Sequence, residues 1–159
     1  MSLNHLFQSG LDLLALAPVI GVVKNLKHGD EVAEAFQNAA KSVDRYEDVR
    51  IINKKYAGKV FELKGDLATK YPNGVVFNNE GFPDFSPYAK IKVKIDGLKG
   101  NTTTDFTAAN KAVGLKETPG GYTWHHVEDG RTMILVPTDL HQAVRHTGGA
   151  ALTKKGLIP

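Results

Sequence analysis

Four of the six histidines of this 159-residue chain fall between His125 and His146, and the chain has no cysteine. Imidazole is the commonest metal ligand and the side chain that titrates nearest neutral pH. The lack of thiols excludes a disulfide framework, an iron–sulfur cluster, a zinc ribbon and a thiol nucleophile. Any metal site must draw on His, Asp, Glu or Asn. The adjacent pair His125-His126 can divide two tasks: one ring binds a cation while the other keeps its lone pair free to take a proton. Neighbours in a regular strand point to opposite faces, so aiming both rings inward requires a strand end or a bulge at this pair. Imidazole donors favour Zn2+, Ni2+, Co2+ or Mn2+ over Mg2+, although Mg2+ works with few protein ligands.

The elements that must position these rings are readable around them. Tyr122 to Val127 is rich in aromatic and β-branched residues and predicts a strand. Asp129-Gly130 predicts a two-residue type I′ hairpin turn. Arg131 to Val136 is the return strand, ended by Pro137. In that register Glu128 faces Arg131, Val127 faces Thr132, and His126 faces Met133. Thr138 caps a short helix over Asp139 to His146, which Thr147-Gly148-Gly149 ends. The segment 122–147 is thus a ββα unit, and packing the hairpin on its own helix can bring His125, His126 and His141 together. His141 and His146 diverge by about 140° on a helix that turns about 100° per residue. They share a face only if the helix ends between them, whereas Arg145 lies on the His141 face of a continuous helix. Trp124 reads as a packing anchor.

Upstream, the patterns are mixed. Ala89 to Ile95 alternates strictly and predicts a strand with Lys90, Lys92 and Lys94 on its wet face. Thr103 to Val113 predicts a helix, with threonines available as caps and Gly114 as its stop. Val60 to Leu63 and Val75 to Phe77 read as short strands, Asp66 to Tyr71 as one or two helical turns, and Glu80 to Pro87 as an ordered loop. The first third looks helical: Val32, Phe36, Ala39, Val43 and Tyr46 recur as one apolar stripe. Leu11 to Val23 is interrupted by Asp12 and Pro18 and falls short of the roughly 20 residues of a membrane span. No Lys or Arg precedes Lys24, as a secretory leader would require, so the expectation is a soluble chain. The fold class is therefore α+β: a helical segment over 1–54, then a small mixed domain over 55–159 that contains the ββα unit.

With those elements placed, Trp124-His125-His126, Asp129-Gly130-Arg131-Thr132-Met133, Leu135-Val136-Pro137, His141 and His146-Thr147-Gly148-Gly149 together resemble the WHH group of the HNH/endonuclease VII nucleases. These are His-Me finger, or ββα-metal, enzymes. Weaker similarity through Pro83-Asp84-Phe85-Ser86-Pro87-Tyr88 and Asp105-Phe106 extends the resemblance to roughly 55–155. The helical first third resembles the pre-toxin segment upstream of such domains in bacterial polymorphic toxins. The resemblance implies that His125 and His141 bind one divalent ion, that His126 is the general base, and that His146 is a further helical ligand or a phosphate contact. The chain departs from the family at the middle Asn of HNH, whose place is near Thr132 or Met133, so a different brace must hold His126.

Phosphodiester hydrolysis needs an activated water, charge neutralisation on the phosphorane, and help for the leaving oxygen. A neutral imidazole supplies the first, and one divalent ion (Mg2+, Mn2+, Zn2+ or Ni2+) supplies the others. The charge sum of 20 Lys+Arg against 17 Asp+Glu, a net +3, is mildly basic and compatible with a nucleic-acid partner. Lys90, Lys92 and Lys94, with Lys99, Arg131 and Arg145, can track a phosphate backbone, although lysines also guard an edge strand against aggregation. The expectation is a DNase toxin of low sequence preference, acting in a target-cell cytoplasm and held in check by an acidic immunity protein. The competing readings are an RNase on the same scaffold and a non-catalytic, zinc-stabilised nucleic-acid-binding module.

Overall fold

The computed structural model describes residues 46–159. The apolar stripe from Val32 to Val43 lies outside the described residues. The candidate site belongs to a compact unit that runs from Ile51 to Pro159.

This unit is α+β, built on two small antiparallel sheets. The first sheet joins β1 (Val60–Phe61), β2 (Val75–Phe77) and β3 (Pro83–Asp84) in that order. Between β1 and β2 lies α1 (Asp66–Lys70). The second sheet contains β4 (Ile91–Lys94), β5 (Tyr122–His126) and β6 (Thr132–Pro137), with β6 in the middle. Helix α2 (Thr102–Ala112) connects β4 to β5. Helix α3 (Thr138–Ala143) follows β6 directly, and α4 (Gly149–Lys154) comes after it. No described helix is long and apolar enough to cross a membrane.

The register of the second sheet explains how two cores form on its two faces. His125 pairs with Ile134 and His126 with Met133. Lys92 pairs with Ile134, and Val93 with Met133. Directly paired residues share a face, so His125, Ile134 and Lys92 form one row and His126, Met133 and Val93 the next, facing the other way. Ile134 and Val136 pack with Leu140 and Val144 after β6 and with Val75, Phe77 and Phe85 from the first sheet and its flank. On the opposite face Trp124, Met133 and Leu135 pack with Leu98 and with Ala109 of α2. β6 is buried from Thr132 to Val136 because it is covered on both sides and has neighbours on both edges.

Several local expectations are corrected. The hairpin is not a type I′ turn, which needs positive φ at both central residues. Gly130 is at φ 73°, but Asp129 is not in the left-handed region. Instead Gly130 N–H donates to Val127 C=O, and the Asp129 carboxylate accepts from Arg131 N–H, Thr132 N–H and the Thr132 hydroxyl. Helix α2 is capped by Asn101, not by a threonine: its side-chain oxygen accepts from Thr103 N–H at 2.8 Å and Thr104 N–H at 3.2 Å. Thr138 is no cap either. Pro137 holds the N-cap position of α3, and Thr138 is its first helical residue, with its N–H donated to Gly121 C=O. Finally, α3 stops at Ala143 rather than His146, because Val144 leaves the helix in an extended conformation and is fully buried in the core with Leu140.

Candidate metal centre and nuclease site

The early end of α3 decides the geometry of the site. Because the helix does not run on to residue 146, the divergence expected of His141 and His146 never arises. The chain turns back after Val144, and His146 returns beside His141, with ring centroids 4.8 Å apart. His125, from the end of β5, completes the group at 5.2 Å from His141 and 5.0 Å from His146. One ligand nitrogen from each of the three rings can be chosen so that all lie within 4.8 Å of one another.

The Phe85 ring forms the floor of this triangle. Its centroid is 5.0, 5.4 and 5.2 Å from His125, His141 and His146. Phe85 is itself buried in the core, so it supports all three imidazoles from beneath. From the other side the His146–Gly149 segment closes in. A Cβ on Gly148 would touch His125 at 3.4 Å, and Gly149 has no room for one against Val127. The same segment is tied to the start of the unit, where Ile52 N–H donates to the Thr147 hydroxyl and the Asn53 amide to Arg145 C=O.

The three rings suit a divalent ion. Burial, followed by the neighbouring imidazoles, pushes His125 well below the usual histidine range and His141 to about 4. Burial also lowers His146, against the Val144 carbonyl that raises it. All three rings are therefore neutral at pH 7 and carry bare lone pairs, as metal ligands must. His146 donates Nδ1–H to Val144 C=O at 2.6 Å, which leaves its Nε2 bare. His125 Nδ1 and His141 Nε2 face each other at 3.1 Å. Two imidazole nitrogens on one tetrahedral ion stand about 3.3 Å apart, so little movement is needed to share a cation. An all-nitrogen donor set fits a borderline ion better than Mg2+. His125 is almost fully buried, while His141 and His146 are partly exposed and give the site its opening.

His126 does not join this group, contrary to the expected convergence of His125, His126 and His141. There is a strand end at His126 but no bulge, so the alternation of β5 turns His126 to the α2 face. There its Nε2 meets Asp105 Oδ2 at 2.8 Å. Burial alone would raise the Asp105 carboxyl. Hydrogen bonds from Lys99 N–H, His126 and Asn101 N–H outweigh it and hold the group below the ordinary carboxylate range. Asp105 is thus the side chain that holds the His126 ring. Thr132 does not brace His126, since its hydroxyl is spent on Asp129, and Met133 is wholly buried in the core. Trp124 is an anchor, with its indole N–H donated to Asn110 Oδ1 of α2 at 2.8 Å.

The basic residues are dispersed. Lys90, Lys92 and Lys94 are exposed along β4, an edge strand, and Lys92 lies on the same sheet face as His125. Lys99 is exposed in the loop before α2. Arg131 is exposed near the hairpin, 3.9 Å from Asp96. Arg145 is exposed but lies beyond the end of α3, so its helical alignment with His141 is absent. Sequence reasoning does not single out Phe85 and Asp105 as site residues, although both stand in the more weakly similar stretches. Burial is what marks them, and spacing does not reveal it.

A strand–turn–strand–helix unit that gathers three neutral imidazoles, with a histidine–carboxylate pair on the adjoining residue, has the makings of a ββα-type phosphodiester hydrolase. Residues 115–156 match the model of the WHH family, a nuclease of the HNH/ENDO VII superfamily with conserved WHH, and this match supports the WHH nuclease resemblance. HNH nucleases use a divalent metal, and the triad of His125, His141 and His146 could bind one. No curated protein matches the chain.

Proposed function

We propose that this nuclease is a divalent-metal-dependent endonuclease that hydrolyses DNA with little sequence preference and serves as a toxin. The observation that carries the reading is the convergence of His125, His141 and His146, with His126 one residue along the backbone and outside the cluster. His125, His141 and His146 would hold the ion, which when bound offsets the charge on the phosphorane and on the leaving oxygen. His126, free of that duty, takes a proton from the attacking water. Lys90, Lys92 and Lys94 bind the phosphate backbone, and contacts of that kind carry no base information. Arg131 and Arg145 are further candidates for such contacts.

The closed structural-zinc alternative is less favoured. A structural site has four protein ligands, and no fourth His, Asp or Glu joins the triad among the described residues. The choice of DNA over RNA rests on the family resemblance, as do the toxin role, an acidic immunity partner and action in the cytoplasm of a target cell. An acidic partner would complement the basic edge of the sheet.

The test is cleavage of plasmid DNA and of total RNA, side by side, with Mg2+, Mn2+, Zn2+ or Ni2+. Plasmid nicking that EDTA abolishes, and that His126→Ala lowers by at least ~100-fold, is the expected result. Near wild-type cleavage by His126→Ala would remove the base from the mechanism. Cleavage of RNA alone would transfer the activity to the RNase reading.

A further inference from the structure

Asp105 lies outside the segment that matches the WHH family, yet it makes the one hydrogen bond that the His126 side chain has among the described residues. Its carboxylate is held by the main chain of the segment that leads into α2. Lys99 N–H donates to Oδ1 at 3.0 Å and Oδ2 at 3.1 Å, and Asn101 N–H to Oδ2 at 3.0 Å. These bonds do not involve His126, so the carboxylate has supports of its own beside the ring. An ionised carboxylate can only accept. A ring with a single ring-nitrogen proton must therefore carry it on Nε2, which leaves Nδ1 as the bare nitrogen. No described group hydrogen-bonds to Nδ1, and no fully buried side-chain nitrogen or oxygen lacks a partner among the described residues, so Nδ1 reaches solvent. The same helix grips β5 two residues earlier, through Asn110 and the Trp124 indole. Two bonds from α2 thus fix the strand end and the rotation of the ring.

We infer that Asp105 is a positioning residue for the nuclease reaction: its hydrogen bond locks His126 in the Nε2–H tautomer and keeps the bare Nδ1 turned to water. This inference rests on the nuclease reading of His126. The residue acts through the histidine, and substrate need not touch it. It also extends the working unit back to α2, so that a fragment containing the ββα motif alone would have its base unbraced.

The experiment uses the full chain loaded with Zn2+ and labelled with 15N-histidine. Long-range 1H–15N correlation reads the tautomer of each ring, with His126 assigned through His126→Gln. Wild type is expected to show Nε2–H at His126. Asp105→Asn keeps that tautomer, because an amide oxygen can stand where the carboxylate oxygen meets the ring. Asp105→Ala loses it and shows a mixture. On plasmid DNA, Asp105→Asn retains kcat within about tenfold, while Asp105→Ala loses roughly 100-fold with KM and Zn2+ affinity unchanged. Asp105→Ser replaces the alanine variant if that one does not fold. The inference is overturned if Nε2–H still dominates without the carboxylate, or if Zn2+ affinity falls in step with kcat. Should wild type cleave nothing, the nuclease reading fails, and the tautomer measurement still decides whether Asp105 sets the ring.

Discussion

Gly149 is packed so tightly on Val127 that a Cβ at this position would lie 2.1 Å from the Val127 carbonyl oxygen and 3.1 Å from that of His126. The backbone that carries His126 is therefore in direct contact with the segment that carries His146. This close approach ties the hairpin to the return of the chain after α3. It gives a physical reason for glycine at the end of the His146-Thr147-Gly148-Gly149 motif. The obstructing atoms are main-chain atoms, which cannot swing aside as a side chain would.

Gly149→Ala should consequently lose about 1–3 kcal/mol of stability or more, the scale of overpacking in a rigid site. A thermal melt beside wild type measures it. An unchanged melting temperature would mean that the contact is slack.

The cation should depend on the triad and not on His126. His141→Ala or His146→Ala should weaken Zn2+ binding by more than the ~10–100-fold typical of losing a supporting group around a metal, whereas His126→Ala should leave it within a few-fold. Competition with a chromophoric chelator reads both. Equal losses in all the variants would contradict the division of roles between the two faces of β5.

Phe85 supports three rings at once, so Phe85→Ala should cost about 3–5 kcal/mol as a buried aromatic truncation and should loosen metal binding as well. Phe85→Leu keeps most of the volume and should recover much of the stability. A Phe85→Ala protein that melted normally and held Zn2+ at full strength would show that the floor is dispensable.

The hairpin turn should be sensitive to acid. Burial would raise the Asp129 carboxyl, but the Thr132 hydroxyl, the Arg131 and Thr132 N–H groups and nearby Lys92 together hold it below its ordinary range. A carboxyl depressed on folding stabilises the fold above its unfolded value, about 3.9. That contribution is lost as pH falls through the lower folded value. Asp129→Asn should be less stable than wild type by about 1 kcal/mol at pH 7, and the gap should narrow at and below pH 4. Melts at pH 3, 5 and 7 test this, and a gap that widened in acid would reverse the sign.

If the lysines of β4 hold phosphates, the triple variant of Lys90, Lys92 and Lys94 to Ala should bind DNA more weakly. The slope of log K against log salt should become shallower by up to about 0.9 for each duplex phosphate that is no longer neutralised. An unaltered slope would leave these lysines as guards of an exposed edge.

The ββα unit was legible because its cues are local. Alternation set the strands, the Asp129-Gly130 pair marked the hairpin, and the pairing of His126 with Met133 followed the expected register. The turn type was not legible, because the Asp129 side chain caps the following backbone and removes the need for two left-handed residues. The end of α3 was hidden because burial of Val144, not a breaker residue, stops the helix. The brace on His126 comes from a residue 21 positions away on another element, and a sequence pattern does not state which helix face lies against which strand. The three-histidine cluster was half legible: its members could be named, but their meeting depended on that unseen helix end.

The order in which His125 and His126 follow one another is thus a form of wiring. The sheet separates the two rings, with the three-histidine cluster on one side and the histidine–carboxylate pair on the other, and consecutive residues at the strand's tip face one side each. Removing a single residue between them and the hairpin would reverse their faces, turning the second ring to the triad's side of the sheet and the first to the side of α2. Neither ring would then meet its old partner. The lengths of more distant loops do not enter this relation, whereas the count from this dyad to the bend sets it.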